Sequence, residues 1–254
     1  ISWKKNMFGV IGGTGLGKID DLVIEKKEII KTPYGDTSEA LSFGLLGKHK
    51  VVFLARHGSD HSIPPHLINY QANIWALNEI GVKNLIGINT VGSIQLDFMP
   101  GDFVFPNQII DYTHSRESTF FDGVKQPVKH IDFTNPFNSV LLDKFIHISN
   151  QLKFKSHTEV VYGCVQGPRL ESAAEINRYE NDGVSVVGMT GMPETSLARE
   201  MNLNYAIICP VANHAAGRGL NKNGISHEEI NSNSKKMAFN IADLIKGVIE
   251  SYGD

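Results

Sequence analysis

Short apolar runs alternate with stretches of helical period along most of this chain. Phe8-Gly9-Val10-Ile11 reads as a strand and runs straight into Gly12-Gly13-Thr14-Gly15-Leu16-Gly17. Residues 40–46 and 50–55 read as a hairpin around Gly47-Lys48-His49. The spacing predicts a helix over 67–81, with Ile68, Ala72, Trp75, Ala76 and Leu77 on its apolar face and Gly81 as its C-cap. Residues 85–90 read as a buried strand. Pro100-Gly101-Asp102 then turns the chain into two short strands, 103–105 and 108–112. A polar, irregular stretch follows over 113–137, carrying Phe120, Phe121, Phe133 and Phe137. A loop of that length in a compact domain is usually functional or interfacial.

Helix 139–152, strand 159–165 and helix 173–181 lead into the stretch from Val186 to Asn213. Val186 to Met189 closes an apolar run, and Thr190 to Pro193 is a turn. Glu194 to Met201 has helical composition, with Pro193 suited to a first helical turn. Tyr205 to Val211 is a second strand and ends abruptly on Ala212-Asn213-His214. After a loop over 215–224, a long helix starts at Ser226, with Glu229 completing a capping box. Met237, Ile241, Leu244, Ile245 and Val248 form one apolar stripe along it. The succession predicts a single α/β domain over residues 7–254 with a mostly internal sheet, and residues 1–6 as a leader.

Composition narrows the function. The chain has 254 residues, 41% of them hydrophobic and 20% charged, as a globular domain requires. A formal net charge of −3 gives no basic field for nucleic acid. No apolar run approaches the roughly 18 residues that a membrane helix needs. Cys164 and Cys209 each sit in an apolar run, which predicts buried thiols with neither disulfide nor metal spacing and suits a reducing cytoplasm.

The polar residues of interest cluster where predicted strands end, the usual ligand-binding edge of an α/β sheet. Four glycines surround Thr14 without matching a dinucleotide loop or a P-loop, so an anion site and an ordinary tight turn both stand. Arg56-His57-Gly58-Ser59-Asp60-His61 follows the hairpin, and an Arg fork with a His donor suits phosphate. Leu-x-Arg-His-Gly is also similar to the histidine phosphatases, where the motif follows the first strand. Glu171, just past a strand, reads as an exposed cap-region acid or as a pocket carboxylate. Met189, Thr190 and Asn213 offer an apolar wall, a hydroxyl and a carboxamide. His227 opens the last helix, facing the pocket or merely on the first turn.

Together these motifs resemble the purine nucleoside phosphorylase superfamily, in its methylthioadenosine phosphorylase branch. The resemblance rests on GGTGL at 12–16, RHGxxH at 56–61, NYQANIWAL at 69–77, NTVGSI at 89–94, PGD at 100–102, GPRLES at 167–172 and GMTGMPETSLARE at 188–200. It implies an α/β domain around a mixed, partly barrel-like sheet flanked by helices, assembled as a homotrimer. It implies reversible nucleoside phosphorolysis, with phosphate as co-substrate and without metal or organic cofactor. Carried over by position, Thr14, Arg56, His57, the Thr90 backbone and Thr190 match the phosphate site. Met189 matches the residue under the ribose, and His130 and Phe133 resemble a loop that a neighbouring subunit lends to the sugar. Leu170, Glu171 and Asn213 match the purine pocket, with Asn213, Glu171 and His57 as the catalytic set.

Adenosine-type members of that branch place an Asp where this chain has Asn213 and another where it has Ala215. An Asn donates to N7 or a 6-oxo group, and Glu171 accepts from N1–H, so a 6-oxopurine is expected. The motif wording is most similar to methylthioinosine phosphorylases, which have an apolar 5′ pocket. His227, within His-Glu-Glu-Ile, resembles the histidine that inosine and guanosine phosphorylases aim at a 5′-hydroxyl. Methylthioinosine is placed first, inosine and guanosine next, then methylthioadenosine. A non-catalytic nucleoside-binding protein is the reading from a different class.

Overall fold

The apolar run after Leu203 forms the longest strand of the sheet, and the architecture is arranged about it. The structure is a computed structural model that describes residues 7–13 and 22–252, apart from the side chains of His227 and Glu229. The leader expected over 1–6, the Thr14 anion site and the capping box of Ser226 with Glu229 lie outside the described residues.

In chain order the strands are β1 (Phe8–Gly12), β2 (Leu22–Glu28), β3 (Leu41–Leu46), β4 (His49–Ala55), β5 (Asn84–Ile88), β6 (Val91–Ser93), β7 (Phe103–Asp111), β8 (Ser156–Cys164), β9 (Val186–Gly188) and β10 (Asn204–His214). Among the described residues, five α-helices accompany them: α1 (Tyr70–Glu79), α2 (Ser139–Gln151), α3 (Ala173–Asn181), α4 (Glu194–Glu200) and α5 (His227–Glu250). The sheet runs β2-β3-β4-β1-β5-β10-β6-β9-β8-β7, and β7 pairs back onto β10. That last pairing closes β10, β6, β9, β8 and β7 into a ring, so the sheet is mixed and partly barrel-like.

β10 belongs to both parts. Its first half runs parallel to β5, from Asn204 beside Asn84 to Ile208 beside Ile88. Its second half pairs with β6 and, at Cys209 and Pro210, with β7. Every β10 residue after Asn204 is buried. A strand covered on both faces has to be apolar throughout, which is why this run lacks the alternation of a half-exposed strand. α5 and α2 pack on β10 and on each other, while α4 packs on β10 and α1. The α5 stripe from Met237 to Val248 is buried as its spacing requires. Among the described residues, no helix is long and apolar enough to cross a membrane.

Several boundaries differ from the sequence reading. The helix expected over 67–81 starts at Tyr70, because the Asn69 side chain accepts from the Ala72 N–H and caps it. His49 is not part of the hairpin turn but pairs with Leu46, leaving Gly47-Lys48 as a two-residue loop. Strands 103–105 and 108–112 are one strand, β7. Pro106 lacks the N–H that a regular ladder needs, and the register shifts on both sides of it. β2 is unforeseen: Val23 to Glu28 are exposed on an edge strand, so they carry no burial pattern. Both cysteines are free and fully buried, and burial pushes the Cys164 thiol up to about 12.

Candidate active site

The carboxyl ends of β1, β4, β5, β8, β9 and β10 converge on one cavity. Gly13 follows β1, His57 follows β4, Thr90 follows β5, Leu170 and Glu171 follow β8, Met189 and Thr190 follow β9, and Asn213 lies near the end of β10. Seven residues singled out in the sequence therefore meet here: His57, Thr90, Leu170, Glu171, Met189, Thr190 and Asn213. His130 and Phe133 do not line this cavity. His130 is exposed on the 113–137 loop, and Phe133 packs against the core. His227 is the first residue of α5, and Ile230, one helical turn further on, lines the cavity.

Arg56 departs from expectation. Its side chain is fully buried behind the cavity, and its fork is taken by Glu194 rather than open to a ligand. Nε donates to one Glu194 oxygen at 2.7 Å and Nη2 to the other at 2.6 Å. Nη1 donates to the Ile88 carbonyl at 2.8 Å. Burial pulls the guanidinium down, and the Glu194 carboxylate more than offsets it, so the group stays charged above its ordinary range. Tyr205 donates to Glu194 at 2.6 Å, completing the carboxylate's partners. Gly87 makes room for this arrangement, since a Cβ there would collide with the Tyr205 hydroxyl.

The pair extends into the cavity through Asn89. The Asn89 carbonyl oxygen faces Arg56 Nη2 at 3.4 Å, and its amide donates to Thr190 Oγ1 at 2.8 Å. Thr190 thus uses its oxygen as an acceptor and keeps its own O–H hydrogen for another partner. Sequence reasoning missed Glu194 and Asn89. Glu194 looked like an ordinary acid in a first helical turn. The sole available signal was a carboxylate among small and apolar residues on a short helix.

His57 is held by a hydrogen bond from Nδ1 to the Ile63 carbonyl at 2.8 Å. A carbonyl only accepts, so Nδ1 carries the proton and the neutral ring offers Nε2 as an acceptor. Burial, and then the charge of Arg56, lower the His57 pKa to about 4. Asn213 is buried, and its amide nitrogen donates to the His214 carbonyl at 2.6 Å. That bond fixes which end of the carboxamide is nitrogen and leaves one N–H and the oxygen for a ligand. Glu171 is held just ahead of α3. Ser172 caps that helix by accepting from the Glu175 N–H, and the Glu175 carboxylate accepts from the Ser172 N–H in return. Burial raises the Glu171 carboxyl above its ordinary value. Met189 packs against Gly167, which has φ +61° and no side chain to obstruct the thioether.

The cavity therefore offers a hydroxyl and an imidazole, with a buried cation reached through Asn89. Its lining also includes an apolar wall, a carboxamide and a carboxylate. The arrangement suits a ligand with an anionic group, an apolar-faced middle and a flat polar heterocycle.

Comparisons with known proteins fit this geometry. The phosphorylase superfamily matches the chain over residues 7–250. The 6-oxopurine nucleoside phosphorylase of Pyrococcus furiosus is 43% identical over 247 residues, covering 94% of this chain and 91% of that protein. A probable S-methyl-5′-thioinosine phosphorylase of Xanthomonas campestris pv. campestris is 44% identical over 236 residues, covering 93% and 94%. Among solved structures, methylthioadenosine phosphorylase from Schistosoma mansoni in complex with adenine superposes with a TM-score of 0.92 at 28% identity, covering 97% of this chain and 92% of that one.

Proposed function

The chain belongs to the phosphorylase superfamily, and on that premise we propose that it catalyses the reversible phosphorolysis of 6-oxopurine nucleosides. A nucleoside and inorganic phosphate give the free base and a pentose 1-phosphate. The observation that carries this reading is the convergence of anion, sugar and purine groups on one cavity. Relatives named for 6-oxopurine and methylthioinosine substrates support it.

In this reading phosphate lies beside Thr190, His57 and Thr90 and attacks C1′ while the glycosidic bond breaks. The Thr190 hydroxyl donates to a phosphate oxygen. His57 Nε2 faces another, and an approaching anion raises the ring so that it takes up a proton. The bidentate Arg56–phosphate contact expected from the sequence gives way to a subtler role. Arg56 supplies buried positive charge and, through Nη1 beside Gly13, one remaining N–H. Met189 sits under the sugar as it gains oxocarbenium character. Negative charge building on the departing purine meets the free N–H of Asn213 at N7, while Glu171 accepts from N1–H. A preorganised donor of this kind contributes about 3 kcal/mol to the transition state.

The test is the phosphate requirement. Hypoxanthine should be released from inosine or methylthioinosine only when phosphate is present, with the pentose 1-phosphate formed in equal amount. Equal release in phosphate-free buffer would make the protein a hydrolase. Binding without turnover would make it a nucleoside-binding protein, and phosphate carried covalently on His57 would restore the histidine-phosphatase reading.

The 5′ end of the substrate is the finer question. Ile230 is an apolar contributor to the cavity and supports S-methyl-5′-thioinosine as the favoured substrate. His227, one turn before it, supports inosine and guanosine. Replacing His227 with methionine is expected to raise the kcat/KM ratio of methylthioinosine over inosine by about tenfold, the scale of one lost hydrogen bond. A shift towards inosine would remove His227 from the 5′ pocket. His130 and Phe133 lie away from their own chain's cavity, which supports a homotrimer in which each lends this loop to a neighbour.

A further inference from the structure

Arg116, near the start of the 113–137 loop, takes no part in the chemistry above, yet each of its guanidinium nitrogens faces an acceptor. Nη1 donates to the carbonyls of Met189 at 2.8 Å and Met192 at 2.6 Å, with the Tyr70 hydroxyl at 3.3 Å. Nη2 donates to the Gln166 carbonyl at 2.8 Å and lies 3.4 Å from that of Val165. Nε donates to the Gln166 side-chain oxygen at 3.2 Å. The group also lies 5.6 Å from the centre of the Tyr70 ring on α1.

The four main-chain acceptors lie on two segments, one leaving β8 and one leaving β9. Residues 165–166 leave β8 towards Leu170 and Glu171, and residues 189–192 leave β9 carrying Met189 and Thr190. Beyond a strand end the carbonyls lose their ladder partners and need other donors. A guanidinium provides five N–H groups in one rigid plane, whereas an ammonium provides three from a single point. The loop that carries Arg116 is anchored a few residues further on. Glu200, at the far end of α4, accepts from the Thr119 hydroxyl at 2.6 Å and the Phe120 N–H at 2.7 Å.

We propose that Arg116 is a positioning residue for the reaction, clamping the purine-facing segment after β8 to the sugar- and phosphate-facing turn after β9. It rests on the phosphorolysis reading. It sets the separation between Glu171 on one side and Met189 and Thr190 on the other, and touches no substrate itself. A displacement of about 1 Å at reacting groups costs on the order of 10²-fold in rate, so loosening this clamp is expected to be felt mainly in kcat.

The experiment compares wild type, Arg116→Ala and Arg116→Lys in phosphorolysis of inosine and methylthioinosine, each as folded protein. Both variants should lose kcat, by about 10²-fold for alanine, with smaller changes in either KM. Guanidinium ion at tens of millimolar, against sodium at equal ionic strength, should restore part of the kcat of Arg116→Ala and leave wild type unstimulated. Wild-type kcat in either variant would overturn the positioning role. So would a loss that tracks only the folded fraction and is not rescued by guanidinium. Should the alanine variant fail to fold, Arg116→Lys decides by its kcat. A wild-type enzyme without phosphate-dependent turnover would overturn the functional reading as well, which separates the two failures.

Discussion

Replacing Glu194 with glutamine is expected to destabilise the protein by about 3–5 kcal/mol, because it leaves the Arg56 cation buried without its counter-charge. The pair is inaccessible on both sides, with side-chain exposures of 0% and 1%. Glutamine keeps the shape and can still accept from Tyr205, but its amide nitrogen then faces the Arg56 Nε–H, so the loss combines the missing charge with one missing acceptor. Urea unfolding measures it, and a change within about 0.5 kcal/mol of wild type would sink the argument. Buried pairs are costly to break but not always stabilising to keep, since desolvating both ions offsets much of their attraction. The double change of Arg56→Met with Glu194→Leu is accordingly expected to recover much of the stability. It should not recover phosphate-dependent turnover, because Asn89 loses the partner that orients it towards Thr190. Recovery of both would reduce the pair to packing.

Asn213→Asp is expected to narrow the preference for inosine over adenosine by about 10²-fold, out of a wild-type discrimination of about 10⁴-fold. An amide donates to N7 or the 6-oxo group, whereas a carboxylate accepts from a 6-amino group. The switch stays incomplete because Ala215 supplies no second carboxylate. The structure adds a pH signature. Asn213 Nδ2 lies 2.6 Å from the His214 carbonyl oxygen, and a carboxylate oxygen placed there would oppose another acceptor. The new carboxyl must hold a proton or turn away, so the variant's remaining activity on inosine, which needs a donor, should fall as pH rises through its titration. Steady-state rates for both nucleosides across pH check this. An unchanged inosine-to-adenosine ratio would remove Asn213 from base recognition.

Most of the fold was legible because its strands are short apolar runs bounded by glycine, proline or asparagine. The cavity-lining residues were legible because they cluster where strands end, with His57, Thr90, Met189 and Thr190 one or two positions past one. What escaped has physical reasons. β2 is an exposed edge whose polar residues carry no burial pattern. β7 contains Pro106, which reads as a break until the register shifts absorb it. Arg56 was recognised as important, but its partner Glu194 lies 138 residues away and nothing local marks the pairing. Arg116 was invisible for a related reason, since four of its acceptors are main-chain carbonyls, which any sequence would supply. Roles made by side chains meeting backbone from distant segments leave no motif.

The double membership of β10 has a consequence for how firmly each part of the cavity is held. The open sheet and the closed ring share this strand, and its residues after Asn204 are all buried, so Asn213 stands on backbone tied into both parts. Glu171 stands on an irregular segment between β8 and α3 that is tied by single bonds such as those of Arg116 and not by a strand ladder. Under the proposed function the purine would be gripped between a fixed jaw and a compliant one, and adaptation to a different base would have an easier route through the compliant side.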